Sequence, residues 1–206
     1  MPGRRSRSHA QATNGTRERL AHEAARVMAE SGIEDFGLAK RKAAERLGVR
    51  GAGALPTNAE IQLCLAERLR IFAPAHTQGR LENLRRVAAD VMLELEAFAP
   101  RLVGAVLAGT VTIASGVELH VFADAPELVA AQLERSGAAV RDCQRRYRLD
   151  AATTVQRPGF CFERDGEEIE VFVFPERSAH QAPLSPVDQK PMRRAARAAV
   201  LALLTP

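Results

Sequence analysis

The sequence predicts an α+β protein in which a helical region precedes a mixed β-sheet. Up to Pro100, apolar residues recur at the three- and four-residue spacing of amphipathic helices. From Arg101 the period changes, and Val117, Leu119 and Val121 stand at every second position, as in a half-buried strand. A hairpin signal, Asp165-Gly166, separates two further strand-like runs. These periods place the helices first and the sheet second.

The first 80 residues are predicted to form a tail followed by helices. Residues 1–14 are polar, basic and without period, so we expect a flexible basic tail there and a helical region over residues 15–80. Capping residues, glycines and prolines delimit three helices in that region. They run about from Thr16 to Gly32, from Leu38 to Gly48 and from Asn58 to Pro74.

Residues 81–206 are predicted to form one α/β domain. A fourth helix, apolar from Leu81 to Leu95, opens this domain and ends at Pro100. Four strand-like runs follow, separated by an amphipathic helix from Ala125 to Gly137 and followed by a last helix over residues 192–204. The strand-like runs cover residues 102–107, 117–122, 160–164 and 167–174.

Composition indicates a globular chain. Of its 206 residues, 46% are hydrophobic and 26% are charged, close to the average of folded domains. No apolar run reaches the roughly 18 residues that span a bilayer, and no apolar segment follows the basic N-terminus as in a secretion signal. We therefore expect a cytoplasmic protein without membrane contact. Cys64, Cys143 and Cys161 are odd in number and widely spaced, so we expect reduced thiols buried as small core residues.

The net charge of +4 is concentrated in the N-terminal part, where residues 1–80 carry 14 Lys and Arg against 8 Asp and Glu. The second predicted helix presents four basic residues, Lys40, Arg41, Lys42 and Arg46. Such a face could neutralise the phosphates of a nucleic acid, or it could simply be solvated, and the sequence leaves both interpretations open. A second basic cluster, Arg145, Arg146, Tyr147 and Arg148, stands on a predicted strand, and we expect it to be exposed.

One segment resembles a known family. Residues 104–119 read Gly-Ala-Val-Leu-Ala-Gly-Thr-Val-Thr-Ile-Ala-Ser-Gly-Val-Glu-Leu. This spacing is similar to the signature of the minimal nucleotidyltransferases of the DNA polymerase β superfamily, which is Gly-Ser, three residues, Gly, five residues and Ser-Asp-x-Asp-Leu. In that family the Gly-Ser turn holds nucleotide phosphates, two carboxylates lie on one face of the next strand, and a later strand supplies a third. The carboxylates bind Mg²⁺, which neutralises the transferring phosphoryl group.

Carried over by position, the resemblance assigns roles to six residues. It places phosphate contacts at Gly104, Ala105, Gly109 and Ser115, with Ala105 standing in for the family's serine. It places Glu118 at the second carboxylate, with catalytic and Mg²⁺-binding roles, while Gly116 stands where the first aspartate is expected. The third carboxylate is assigned to Glu170, and Glu168 on the same strand face remains an alternative.

The resemblance implies a nucleotidyltransferase-like protein of mixed-sheet type that binds a nucleoside triphosphate. If active, it would transfer a nucleoside monophosphate to an acceptor with Glu118 and Glu170 holding Mg²⁺, and Glu118→Ala would abolish turnover with little change in melting temperature. Because Gly116 offers no side-chain ligand, we expect binding rather than efficient catalysis. The alternative is a non-catalytic interaction or regulatory module, with nucleic acid as a candidate partner of the basic helices. P-loop hydrolysis is excluded, because the sequence contains no Gly-Lys-Ser or Gly-Lys-Thr.

Overall fold

A computed structural model describes residues 4–49, 55–72 and 75–205, with side chains from Asn14 onward except at residues 75–78. It confirms the α+β class: within these ranges seven α-helices and a five-stranded mixed sheet occur, and the first four helices precede the sheet. The helices are α1 (Arg4–Ser31), α2 (Phe36–Leu47), α3 (Asn58–Phe72), α4 (Ala75–Glu94), α5 (Gly104–Ala108), α6 (Pro126–Arg135) and α7 (Arg197–Ala202). The strands are β1 (Arg101–Val103), β2 (Val117–Phe122), β3 (Arg141–Arg148), β4 (Thr154–Arg164) and β5 (Glu167–Phe174).

Several elements differ from the sequence-based expectation. The last helix, predicted over residues 192–204, is the shorter α7, and β4 begins at Thr154 rather than at residue 160. Helix α1 begins at Arg4, so residues 4–14 continue a helix where a flexible tail was predicted, and residues 1–3 lie outside the described part. The apolar run over residues 102–107 is not one strand, because β1 ends at Val103 and α5 follows at once. The strand ends before Gly104, whose φ of 71° lies in the left-handed region that glycine adopts readily and strand residues do not.

The chain divides into two compact units. The first comprises residues 1–73 with Thr112–Ala114, and the second comprises residues 74–111 with 115–206. The division lies at residue 73 rather than at the expected residue 80, because the whole of α4 belongs with the sheet. Within the described part of the chain, no helix has both the length and the apolar character needed to cross a bilayer.

The first unit is built on α1. Both α2 and α3 pack against it through small and branched apolar residues, buried in a core of Leu20, Ala21, Ala24, Ala25, Met28, Ala39, Ala43, Ile61 and Leu65. Asp35 caps α2 by accepting the N–H of Leu38 at 2.5 Å, and Gly48 ends it in a left-handed conformation. Arg17 of α1 and Glu60 of α3 form a two-pronged ion pair, with nitrogen–oxygen distances of 2.8 and 2.9 Å.

The second unit is a sheet with two different faces. Its strand order is β1-β2-β5-β4-β3; β2 and β5 run parallel and the other neighbours run antiparallel. One face buries the main apolar core, to which Leu119, Val121 and Val171 contribute from the sheet and α4, α6 and α7 contribute from the helices. The opposite face carries four buried aromatic residues, Phe122, Tyr147, Phe172 and Phe174, beside the acidic residues that the resemblance singles out.

The cysteine prediction was wrong for two of the three residues. Cys143 of β3 and Cys161 of β4 form a disulfide, with their Cα atoms 6.1 Å apart. The two residues are 18 positions apart in the sequence, but the antiparallel pairing of β3 with β4 makes them diagonal neighbours. Spacing along the chain does not reveal such a pairing. Cys64 is the free, partly buried cysteine of the described residues.

Candidate functional site

The Gly104 turn is held against strand β2. The chain leaves β1, turns at Gly104 into α5, and leaves α5 through the left-handed cap of Gly109, whose N–H donates to the carbonyl of Ala105. It then returns as β2, antiparallel to β1. A Cβ at Gly104 would lie 3.3 Å from Oε2 of Glu118, so the carboxylate lies close beside the turn and would crowd a side chain at this position.

The other predicted phosphate contacts do not converge on this point. Gly109 lies at the far end of α5, where the atoms nearest to a Cβ would belong to Arg85 and Leu81. Ser115 is buried, and its carbonyl accepts a hydrogen bond from Nη2 of Arg80 at 2.9 Å. Of the four positions, Gly104 is the one that lies beside Glu118, and Ala105 follows it in α5.

The two predicted carboxylates are neighbours. Glu118 of β2 and Glu170 of β5 are register partners across the parallel pair, so their side chains project from the same face. The alternative carboxylate, Glu168, lies apart: its side chain is 63% exposed, and it faces Arg141 at 3.9 Å. Of the two candidates for the third carboxylate, Glu170 is therefore the one that lies beside Glu118.

A guanidinium group lies between the two carboxylates. Arg145 of β3 contacts Oε2 of Glu118 through Nη1 at 2.7 Å and Oε2 of Glu170 through Nη2 at 2.6 Å. Its guanidinium stacks over the ring of Phe172, 4.7 Å from the centroid. The hydroxyl of Tyr147 donates to Oε1 of Glu118 at 2.9 Å. Both oxygens of Glu118 are thus bound by side chains of β3.

A fully buried histidine extends this network. His120 lies two residues beyond Glu118 on the same strand face, and its Nδ1 lies 3.2 Å from Nε of Arg194. Because an arginine nitrogen can only donate, Nδ1 accepts, and the proton of a neutral ring is on Nε2. Nε2 lies 3.2 Å from the hydroxyl oxygen of Tyr147 and 3.4 Å from Oε1 of Glu118. The network therefore runs from Arg194 through His120 and Glu118 to Arg145 and Glu170.

The pKa values of these groups are shifted by burial and by their neighbours. Burial alone would raise the pKa of Glu118, but the His120 hydrogen bond and the positive charge of Arg145 lower it below its ordinary value. Burial raises the pKa of Glu170, and the neighbouring Arg145 offsets that rise only in part. Burial lowers the pKa of His120 despite the nearby Glu118, so the imidazole is neutral at pH 7. Burial, followed by the charge of Glu118, raises the pKa of Tyr147, which remains a hydrogen-bond donor.

The position expected to carry the first aspartate has no room for a side chain. A Cβ at Gly116 would lie 2.6 Å from the backbone oxygen of Glu168, closer than real side chains approach. An aspartate there would require the backbones of β2 and β5 to separate at this point. In the described ranges, no group of three His, Cys, Asp or Glu side chains is arranged to hold a metal ion.

Sequence reasoning missed three members of the network. Arg145 and Tyr147 were expected to be exposed, but Tyr147 is only 5% exposed and both residues face Glu118. Arg146 and Arg148, on the opposite face of β3, are exposed as expected. The two-residue period of a strand could have separated these pairs; it could not have shown which partner they meet. Arg194 falls within the last predicted helix, but α7 begins only at Arg197, and the extended segment before it, where Ala195 bridges Leu102, brings Arg194 to His120.

The basic residues of α2 do not form one uniform surface. Arg41 and Lys42 are exposed, Lys40 is half-buried, and Arg46 pairs with Glu23 at 3.2 Å. Burial lowers the pKa of Lys40. A nucleic-acid contact through these residues stays a prediction.

In comparisons with known proteins, no family model, no curated protein and no solved structure matches this chain.

Proposed function

We propose that the second unit is a nucleotidyltransferase-like domain that no longer performs metal-dependent transfer and acts as a non-catalytic binding module. The observation that carries this proposal is the guanidinium of Arg145, which contacts Glu118 and Glu170 at 2.7 and 2.6 Å. In the proposed account, Arg145 supplies the positive charge that Mg²⁺ supplies in active members of the resembling family.

The path of the chain supports the kinship. Strand β1, the Gly104 turn, the short helix α5 and strand β2 follow one another in the order that the resemblance implies, with Glu118 at the start of β2. The later strand β5 lies beside β2, and Glu170 is the register partner of Glu118. Gly104, Glu118 and Glu170 thus belong to one local arrangement, whereas Gly109 lies at the far end of α5.

The residues present do not fit Mg²⁺. This ion requires near-octahedral oxygen ligands at about 2.0–2.1 Å. Two of the four carboxylate oxygens contact Arg145, a third accepts from Tyr147, and Gly116 adds no side-chain ligand. A divalent cation would also lie within a few ångströms of a guanidinium that carries the same sign of charge. We therefore derive no transfer step through a metal.

Phosphate binding at the Gly104 turn is also unsupported. The family's turn presents backbone N–H groups to an anion, whereas here the carboxylate of Glu118 lies against the turn. A nucleotide phosphate would meet a negative charge at that point. If a nucleotide binds, the proposal requires that its affinity does not depend on Mg²⁺.

Calorimetric titration of the full chain with ATP, CTP, GTP and UTP, each with and without Mg²⁺, tests the proposed function. The expected result is the same heat with and without the metal, and no release of pyrophosphate or phosphate. Glu118→Gln serves as the matched variant, since it removes the charge of one carboxylate and keeps its shape. Metal-dependent heat that Glu118→Gln abolishes would show a functioning nucleotidyltransferase site and overturn the proposal.

A further inference from the structure

Strand β3 leaves one edge of the sheet open. It is the last strand in the order β1-β2-β5-β4-β3 and pairs with β4 alone among the described strands. Its odd-numbered residues from Cys143 to Tyr147 face the carboxylates and aromatic rings of the candidate site. Its even-numbered residues lie on the opposite face and are all exposed: Asp142, Gln144, Arg146 and Arg148.

Hydrogen bonds at the end of β3 show which backbone groups point outward. The N–H of Leu149 donates to the carbonyl of Thr153 in the β3–β4 turn, so the odd-numbered residues bond toward β4. The carbonyl of Arg148 instead accepts the N–H of Leu184, at 2.6 Å. Because these directions alternate along a strand, the N–H and C=O groups of Asp142, Gln144 and Arg146 also point away from β4. They have no backbone partner in the part of the chain that the structure describes.

We propose that this edge pairs with the same edge of a second copy of the chain, antiparallel and around a two-fold axis at Gln144. Asp142 and Arg146 stand two residues before and two residues after Gln144. In this pairing Asp142 of each copy lies opposite Arg146 of the other, and the two Gln144 side chains lie opposite each other. Neither Asp142 nor Arg146 has an ion pair within the described residues, so both are free to form the new one.

The charges select this register and this partner. An axis at Arg146 would place two Arg146 side chains opposite each other, which is repulsive. An axis at Arg145 would pair Asp142 with Arg148, whose carbonyl Leu184 already occupies. With the axis at Gln144, the paired residues end at Asp142 and Arg146, and Arg148 keeps its bond to Leu184. Charged edge residues usually prevent strand pairing when they share one sign. Here the acid and the base are arranged symmetrically, so an antiparallel copy of the edge is complementary to it.

Sedimentation velocity of the full chain tests the pairing over a roughly hundredfold range of concentration. We expect the sedimentation coefficient to rise from that of a monomer to that of a dimer. Asp142→Arg and Arg146→Asp should each keep the chain monomeric, because each places like charges opposite each other. The double variant D142R/R146D restores opposite charges and should restore the dimer. Asp165→Arg, in the β4–β5 turn, is the matched control and should leave association unchanged.

Two controls separate this proposal from other effects. Thermal unfolding checks that the variants remain folded, and Cys64→Ser removes the free thiol as a route to covalent dimers. A chain that is monomeric throughout the range, or a dimer that survives both single substitutions, would overturn the proposal. Because these exposed residues lie on the face away from Glu118, either outcome leaves the proposed function of the site unaffected.

Discussion

Glu118 and Glu170 differ in the number of partners that hold them. Glu118 contacts Arg145 and Tyr147 and lies 3.4 Å from His120, and its side chain is 15% exposed. Glu170 has Arg145 as its ion-pair partner and is 29% exposed. A more buried carboxylate with more partners is harder to replace, because its loss leaves several polar groups without a partner.

We therefore expect Glu118→Gln to lower the free energy of unfolding by about 2–4 kcal/mol and Glu170→Gln by about 1 kcal/mol. Urea denaturation followed by circular dichroism measures both values. A purely catalytic role of Glu118 gives a different result, since removal of a metal ligand at an exposed site leaves the stability almost unchanged. Equal and negligible effects of the two substitutions would contradict the structural role.

The lowered pKa of Glu118 predicts a pH dependence. Its ordinary pKa in an unfolded chain is about 4.3, and the folded value lies lower because of His120 and Arg145. The stability contributed by the ionised carboxylate is thus fully present above about pH 5 and is lost as pH falls through the folded pKa. The difference in unfolding free energy between the wild type and Glu118→Gln should be constant above about pH 5 and shrink below about pH 4. If this difference in unfolding free energy grew as the pH falls, the pKa of Glu118 would be raised rather than lowered in the folded state.

At the scale of elements, Arg145 reaches the carboxylates from β3, with β4 between β3 and β5. Gly159 of β4 contributes to this arrangement. A Cβ there would lie 2.6 Å from Cδ1 of Phe172 and 2.7 Å from the carbonyl oxygen of Val171. The ring of Phe172 covers the glycine, and Arg145 stacks on that ring. Glycine is thus needed at this position because Phe172 and the backbone of Val171 approach closely, and not because the backbone is left-handed.

Gly159→Ala should lower the free energy of unfolding by about 1–3 kcal/mol, because Phe172 and the Val171 backbone must shift. Gly79→Ala in α4 is the matched control: a Cβ there meets nothing within 4 Å, and alanine favours a helix by up to about 1 kcal/mol. Chemical denaturation of both variants measures the difference. An unchanged or increased stability of Gly159→Ala would show that Phe172 is not held in this position.

The sequence predicted elements better than it predicted contacts. Local period located β2 and β5 and predicted which residues share a face within each strand, because alternation is a property of one strand. That Glu118 and Glu170 lie on the same face follows from the pairing of β2 with β5. Local period wrongly predicted a strand over residues 102–107, because an apolar run fits a strand and a helix equally well. In the structure the chain turns at Gly104, which ends the strand and begins α5. Local period also missed Arg145 and the Cys143–Cys161 pair, since both depend on β3 pairing with β4, which no local pattern encodes.

At the scale of the second unit, the network that joins Glu118, Glu170, Arg145 and Arg194 is balanced in charge, and a further guanidinium, Arg157, stacks on Phe174 on the same face. Two carboxylates, Glu118 and Glu170, accompany two guanidinium groups, Arg145 and Arg194, while His120 and Tyr147 are neutral. Burial lowers the pKa of Arg194 to about 10, so it keeps its charge at neutral pH. A bound divalent cation would disturb this balance unless Arg145 moved away. We therefore expect Arg145 to keep metal ions out of this site.

Metal binding by variants of Arg145 tests this central claim. Mn²⁺ is the probe, followed by electron paramagnetic resonance of the free ion. Arg145→Met removes the charge and keeps much of the side chain's length. The two carboxylates then lose the cation they share, so Mn²⁺ should bind at least about tenfold more tightly than to the wild type. Arg145→Lys, which keeps a positive charge, should not gain affinity, and Glu118→Gln combined with Arg145→Met should lose the gain. If the wild type already binds Mn²⁺ as tightly as Arg145→Met does, and Glu118→Gln abolishes that binding, the guanidinium does not take the place of a metal ion.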